Sequence, residues 1–155
     1  MSFAARRAGR MPVTVRLLER RFSVQVGAER AWDHLAMIER WPSWARHIRR
    51  IELSPPGGVR ADSAGTVYLT NGVRSTFRVE QFNPGGNWKW VGAFLWLQVH
   101  YDHRFIRLGP EETEIHFILD GEGFGVGVFG RLFAAIYARS LDRGIPRLIV
   151  ELESG

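Results

Sequence analysis

Cysteine is absent from all 155 residues. Disulfides, thiolate catalysis and sulfur-ligated zinc are excluded together. Lysine is nearly missing as well: Lys89 stands alone among 21 basic residues, the others being arginine. No apolar run approaches the ~20 residues that a membrane-spanning helix needs. The opening residues also lack the unbroken apolar core of a secretory signal, which makes the cytoplasm the expected compartment. With no covalent or metal staple expected, the fold must stand on its hydrophobic core. A chain of this length buries about 68–70% of the surface its unfolded form exposes, which is enough for one self-sufficient domain.

The formal net charge is +5, and its location decides its meaning. Arg6, Arg7, Arg10, Arg16, Arg20 and Arg21 face only Glu19 within the first 21 residues, so the excess lies there and the remainder is balanced. Residues 1–12 read as an Arg-rich leader and 13–155 as a single domain. Nucleic-acid recognition needs a basic face on the folded body, so no nucleic-acid partner is expected.

Hydrophobic periodicity gives an ordered series of elements. Residues 15–26 alternate as a strand, with Phe22, Val24 and Val26 on one face. Residues 28–38 follow helical spacing through Ala31, Trp32, Leu35 and Ile38, and Pro42 forces a break before a short second helix or turn at Trp41–Trp44. Strands are then expected over 48–53, 65–70, 73–82, 88–98, 99–108 and 113–119. Pro55-Pro56-Gly57-Gly58 and Asn83-Pro84-Gly85-Gly86 separate strands, and Asn71-Gly72 predicts a two-residue type I′ hairpin. The strands at 88–98 and 99–108 could equally be one long strand. From 126 to 153 apolar residues recur at steps of three and four, predicting a helix of roughly 42 Å if straight, with a bend near Gly144 and Pro146. Strands grouped between helices, without repeated βα units, specify an α+β class with an antiparallel sheet and a C-terminal helix lying across it.

Several local words carry a family resemblance. They are Val26-Gly27-Ala28-Glu29-Arg30-Ala31-Trp32, Trp41-Pro42-Ser43-Trp44, Val79-Glu80-Gln81-Phe82-Asn83-Pro84 leading to Trp88 and Trp90, and His103-Arg104-Phe105. In this order they resemble the SRPBCC, or START-like, helix-grip superfamily, in its polyketide cyclase/dehydrase-like branch. The resemblance spans residues 13–153. It implies a curved sheet of six or seven strands gripping the long helix, with two short helices after the first strand and a hydrophobic cavity between sheet and helix. It implies no single chemistry, because members include lipid carriers, hormone or terpenoid binders and ring-closing enzymes.

Two motifs invite chemistry and fail on context. Gly125-Val126-Gly127-Val128-Phe129-Gly130 spells a dinucleotide-binding fingerprint, but that mechanism needs a following parallel strand and an acidic residue about 20 positions on. The expected helix consumes the remaining chain, so this stretch reads as a strand-to-helix connection and no cofactor is expected. His100-Tyr101-Asp102-His103 offers metal-ligand types. Strand alternation, however, sends His100 and Asp102 to one face and Tyr101 and His103 to the other, so no metal site is expected.

The same alternation selects a pocket wall. Val99, Tyr101, His103 and Phe105 should face the helix, with Phe77, Val79, Trp88, Trp90 and Phe117 from neighbouring strands and Phe133 and Tyr137 from the helix. Tyr101 and His103 are then polar groups on an apolar wall, suited to orienting a ligand. The leading expectation is a carrier or sensor of a small hydrophobic or amphipathic molecule: lipid-, polyketide- or isoprenoid-like. The alternative is a cyclase or dehydratase in which His103 acts as general base or acid and Tyr101 polarises a carbonyl. A protein-interaction module is a third reading. Phe94-Leu95-Trp96-Leu97 lacks alternation, so one of its large groups should be exposed at a sheet end, where it would suit transient membrane contact, lipid entry or a homodimer.

Overall fold

The computed structural model describes residues 14–154, so the Arg-rich leader expected at 1–12 lies outside the described residues. The order is β1 (Val15–Val24), α1 (Ala28–Ala36), a 3₁₀ helix (Ile38–Ser43), β2 (Ile48–Ser54), β3 (Ala64–Leu69), β4 (Arg74–Asn83), β5 (Asn87–Phe94), β6 (Leu97–Gly109) and β7 (Glu112–Glu122). A π-helical turn (Val126–Gly130) then leads into α2 (Arg131–Ser154). The seven strands form one sheet in the order β1-β7-β6-β5-β4-β3-β2, with every neighbouring pair antiparallel. This is the α+β helix-grip arrangement. The helical segment after β1 carries the chain from one sheet edge to the other, and successive hairpins bring it back until β7 pairs with β1.

α1 buries Ala31 and Leu35 and ends two residues earlier than its apolar spacing suggests. Its last carbonyls are claimed from outside: Val59 N–H donates to Ala36 O at 2.9 Å, and Trp41 Nε1 donates to Leu35 O at 2.9 Å. These satisfy helix-end acceptors that would otherwise be orphaned. The second helix starts at Ile38 rather than Trp41 and contains Pro42 within its 3₁₀ turn. It delivers Trp41 and Trp44 into the core, where both are buried.

Two hairpins differ from expectation. At Asn71-Gly72 the loop is closed by Leu69 N–H donating to Val73 O at 2.8 Å, which leaves three loop residues. Only Gly72 has positive φ, at 89°, while Asn71 Oδ1 accepts from Val73 N–H at 3.0 Å. This is the three-residue hairpin with a left-handed glycine instead of a type I′ turn. The boundary between β5 and β6 falls at Leu95–Trp96 rather than at residue 98, and Leu95 takes φ 57°. That turn contains no glycine, asparagine or proline, so nothing in its composition marks it.

α2 is held unevenly. From its middle onward Leu141, Gly144, Leu148 and Leu152 are buried. A Cβ on Gly144 would lie 3.2 Å from Trp44 Cε3 and 3.3 Å from Trp44 O, so the helix crosses there in close contact with Trp44. Glu153 and Glu151 reach Gln25 N and His34 Nε2, each at 3.0 Å, and Arg20 pairs with Asp142 at 2.8 Å. In the first ten residues of the helix only Ala134 is buried. No described helix is long and apolar enough to cross a membrane.

Candidate ligand-binding site

Alternation along β6 places the expected wall. Val99, His103 and Phe105 are buried in the core, and Tyr101 packs against it from a half-buried position. His100, Asp102 and Arg104 turn to the outer face. There His100 Nδ1 lies 2.5 Å from Glu80 and Nε2 lies 3.2 Å from Glu122, while Asp102 accepts from Asn87 and Arg104. The two halves of His100-Tyr101-Asp102-His103 therefore serve opposite faces of one sheet.

His103 sits in an aromatic box. Trp88 stacks on it at 4.8 Å between ring centroids, with Trp90 at 4.6 Å, Trp41 at 5.5 Å and Phe117 at 5.6 Å. Its Nδ1 lies 3.3 Å from Trp88 O. A carbonyl only accepts, so Nδ1 carries the proton and Nε2 of the neutral ring is left with its lone pair free. Burial pushes the imidazole pKa down to about 4, outweighing the opposing influences of the Trp88 carbonyl and Asp102. Burial likewise raises the Tyr101 and Tyr137 phenols above their ordinary value. Tyr101 and Tyr137 meet edge to face at 5.8 Å, and neither hydroxyl has a hydrogen-bond partner among the described residues.

Tyr101, His103, Phe117 and Tyr137, with Leu18 and Leu141, line a void of about 10 Å³ between sheet and helix. That is room for about one water molecule. Among the described residues this void falls well short of the roughly 300 Å³ that a preformed site for a drug-sized ligand would need. Trp41 and Trp44, carried in by the 3₁₀ helix, occupy much of the interior: Trp41 packs on Trp90 at 5.5 Å and Trp44 stacks on Phe117 at 6.1 Å. These two tryptophans and Leu18 and Leu141 were not among the expected wall residues. Their aromatic or apolar character was visible in the sequence, but their position depends on how the 3₁₀ helix and β1 are placed.

The other expected wall residues spread along the interior. Trp88 and Trp90 flank His103, Phe77 packs on Trp90 at 4.7 Å, and Val79 pairs with Trp90 in the β4–β5 register. Phe105 belongs to a separate cluster with Trp32 and Trp88, at 5.2 and 5.5 Å. Phe133 stands nearer the opposite end, against Phe94 at 4.7 Å and stacked with Tyr137 at 5.9 Å. Two wider grooves, of about 450 and 620 Å³, are lined by outer-face groups of β4, β6 and β7 and by α1 with the β4–β5 turn respectively. Neither belongs to the space under α2.

The Gly125–Gly130 stretch forms the connection into α2. Gly125 has φ 76° and accepts the Phe129 N–H at 3.0 Å. Gly121 and Gly130 both face Leu17, so the turn is built around close packing with β1.

The protein family described as "Polyketide cyclase / dehydrase and lipid transport" matches residues 16–149. No curated protein matches the chain. Among solved structures, an aromatase/cyclase, ZhuI, from Streptomyces sp. R1128 is similar with a TM-score of 0.67 and 14% identity, covering 90% of this chain and 94% of that one. A START superfamily protein from Mycobacterium smegmatis gives 0.66 and 16%, covering 89% and 99%. The protein Ara h 8.0201 gives 0.70 and 11%, covering 92% and 100%. At these identities the likeness is one of fold.

Proposed function

The chain belongs to the polyketide cyclase/dehydrase and lipid transport family, and from that premise we propose that it binds a small hydrophobic or amphipathic molecule beneath the first half of α2, as a carrier or sensor. The supporting observation is the wall of the small void. Two phenol hydroxyls without partners and one free imidazole lone pair meet there, under the least buried part of the helix. The three polar groups stand together on an otherwise apolar wall, placed to serve a ligand's polar end.

Entry requires the first half of α2 to swing away from the sheet, taking Phe133 and Tyr137 with it. The glycine-rich connection and π turn at one end, and the close packing of Gly144 on Trp44 at the other, would serve as the hinges. Covering about 300 Å² of apolar ligand surface would contribute roughly 7 kcal/mol, against which stand the ordering of the ligand and the lost ring contacts at about 1 kcal/mol each. Lipid-, polyketide- and isoprenoid-like molecules fit this balance.

A cysteine-free chain allows a direct test. Phe94→Cys with Phe133→Cys, joined by a short bismaleimide, ties α2 to β5. Native mass spectrometry and a thermal-shift panel of fatty acids, isoprenoids and aromatic polyketides should detect binding to the uncross-linked protein and none to the cross-linked one. No response from any member, or equal binding by both forms, refutes the proposal.

The enzymatic reading uses the same residues, His103 as base or acid and Tyr101 polarising a carbonyl. The free Nε2 beside Tyr101 favours it. A histidine with its pKa near 4 is a weak base at neutral pH, and this places the carrier reading first. Turnover of an aromatic polyketide that survives both His103→Gln and Tyr101→Phe unchanged would eliminate the enzyme.

A further inference from the structure

At the end of the sheet where α2 begins, two loops and the first turns of α2 present large apolar side chains to solvent. Phe124 is 89% exposed, Val128 72%, Leu95 63%, Ile136 61%, Leu132 57% and Trp96 54%. The two loops are tied together, and α2 follows directly from the second. Trp96 Nε1 donates to Phe124 O at 2.8 Å, and Trp96 meets the Phe129 ring edge to face at 5.0 Å. A monomer rarely exposes so many large apolar groups together without a use.

The backbone adds an independent observation. Leu95 is the one non-glycine with positive φ among the described residues, at 57°. Hairpins place glycine or asparagine at such a position, since a Cβ there is strained. Here the strained position carries a leucine whose side chain points into solvent and contributes nothing to the core. Strain kept at an exposed site is a pointer to function.

Charge selects the partner. Between residues 91 and 101 and between 123 and 141 there is no acidic residue, and Arg131 and Arg139 are the only formal charges. Both are exposed and unpaired among the described residues. Arg74, also exposed, opens the neighbouring strand β4 at this end. The acids that flank these stretches, Asp120, Glu122 and Asp142, are already engaged by Arg16, His100 and Arg20. A second copy meeting this surface across a two-fold axis would set arginine against arginine with no carboxylate between. A phospholipid surface with anionic headgroups answers both features, taking the apolar groups at the acyl boundary and the arginines at phosphate level.

We infer that this end of the molecule docks reversibly on an anionic phospholipid membrane through the Leu95–Trp96 turn, the Phe124–Val128 connection and the first turns of α2. The inference goes beyond the ligand-binding proposal and stands without it, because vesicles report docking whether or not the interior takes a guest.

The test is co-sedimentation of the full chain with vesicles of phosphatidylcholine containing phosphatidylserine, and with phosphatidylcholine alone. Binding should require phosphatidylserine and weaken as salt rises. Phe124→Ser should lower the partition coefficient about tenfold, as expected when one large apolar group no longer enters the interface. Arg131→Gln with Arg139→Gln should lower it about 25-fold, at about fivefold per arginine. Leu95→Gly separates docking from folding: it relieves strain, so the melting temperature should rise while vesicle binding falls. Absence of binding to anionic vesicles overturns the inference. So does binding that Phe124→Ser and Leu95→Gly leave unchanged, or a dimer in sedimentation equilibrium that Phe124→Ser dissolves while vesicles remain unbound.

Discussion

Replacing His103 by glutamine should remove a specific acid sensitivity from folding. In the unfolded chain this imidazole has an ordinary pKa near 6.5, whereas in the aromatic box burial holds it at about 4. As pH falls below 6.5 the unfolded state takes up the proton first, so stability is lost. The contribution is fully present above pH 6.5, declines between there and pH 4, and is gone below. Linkage of these two values gives about 2 kcal/mol of destabilisation at pH 5 and about 3 kcal/mol once the ring is protonated in both states. His47, whose pKa is also lowered by burial, and the other titrating groups remain in both proteins, so the difference between them isolates His103. Urea unfolding followed by tryptophan fluorescence at pH 8 and pH 5 measures it. The parent should lose about 2 kcal/mol more than His103→Gln over that interval. Equal losses would mean that the ring is already hydrated in the folded state, which would refute the closed aromatic box. His103→Phe, which keeps a ring between Trp88 and Trp90, serves as the control if glutamine disturbs packing.

Four further substitutions probe the frame around the site. Gly65→Ala should destabilise by about 3 kcal/mol in urea unfolding, because the new methyl would run into Glu52 O and sit 2.9 Å from Phe77 Cζ, and backbone cannot yield as a side chain does. A loss under 1 kcal/mol would contradict the close β2–β3 approach. Leu148→Ala removes a fully buried side chain from the anchored half of α2 and should cost about 3 kcal/mol. Ile136→Ala, in the exposed half, should stay within about 0.5 kcal/mol, and similar costs for the two would refute the uneven grip on the helix. Asp142→Asn breaks the pair with Arg20, but both side chains are solvated, so the melting temperature should change by no more than about 1 kcal/mol implies.

Much of the frame could be read from residue order alone. Period-two alternation along Val99, Tyr101, His103 and Phe105 required one face of β6 to be apolar, and it separated His100 and Asp102 from them without any knowledge of neighbours. The three- and four-residue spacing from Leu141 to Leu152 likewise required a helix with one buried stripe. These are local geometric periods, and a chain carries them whatever surrounds it. The turn at Leu95–Trp96 had no such mark. It exists because Leu97 is buried at the start of β6 and pairs with Phe94, so sheet register, a property of two strands, imposes strain that the turn's own residues would not choose. The filling of the interior lay further still from the sequence. Whether Trp41 and Trp44 occupy the space under α2 or its margin depends on the placement of the 3₁₀ helix. A cavity volume is the small remainder between the space that the backbone encloses and the summed volume of side chains from several distant segments. Periodicity reports which side chains point inward, and only their joint packing leaves a remainder of about 10 Å³.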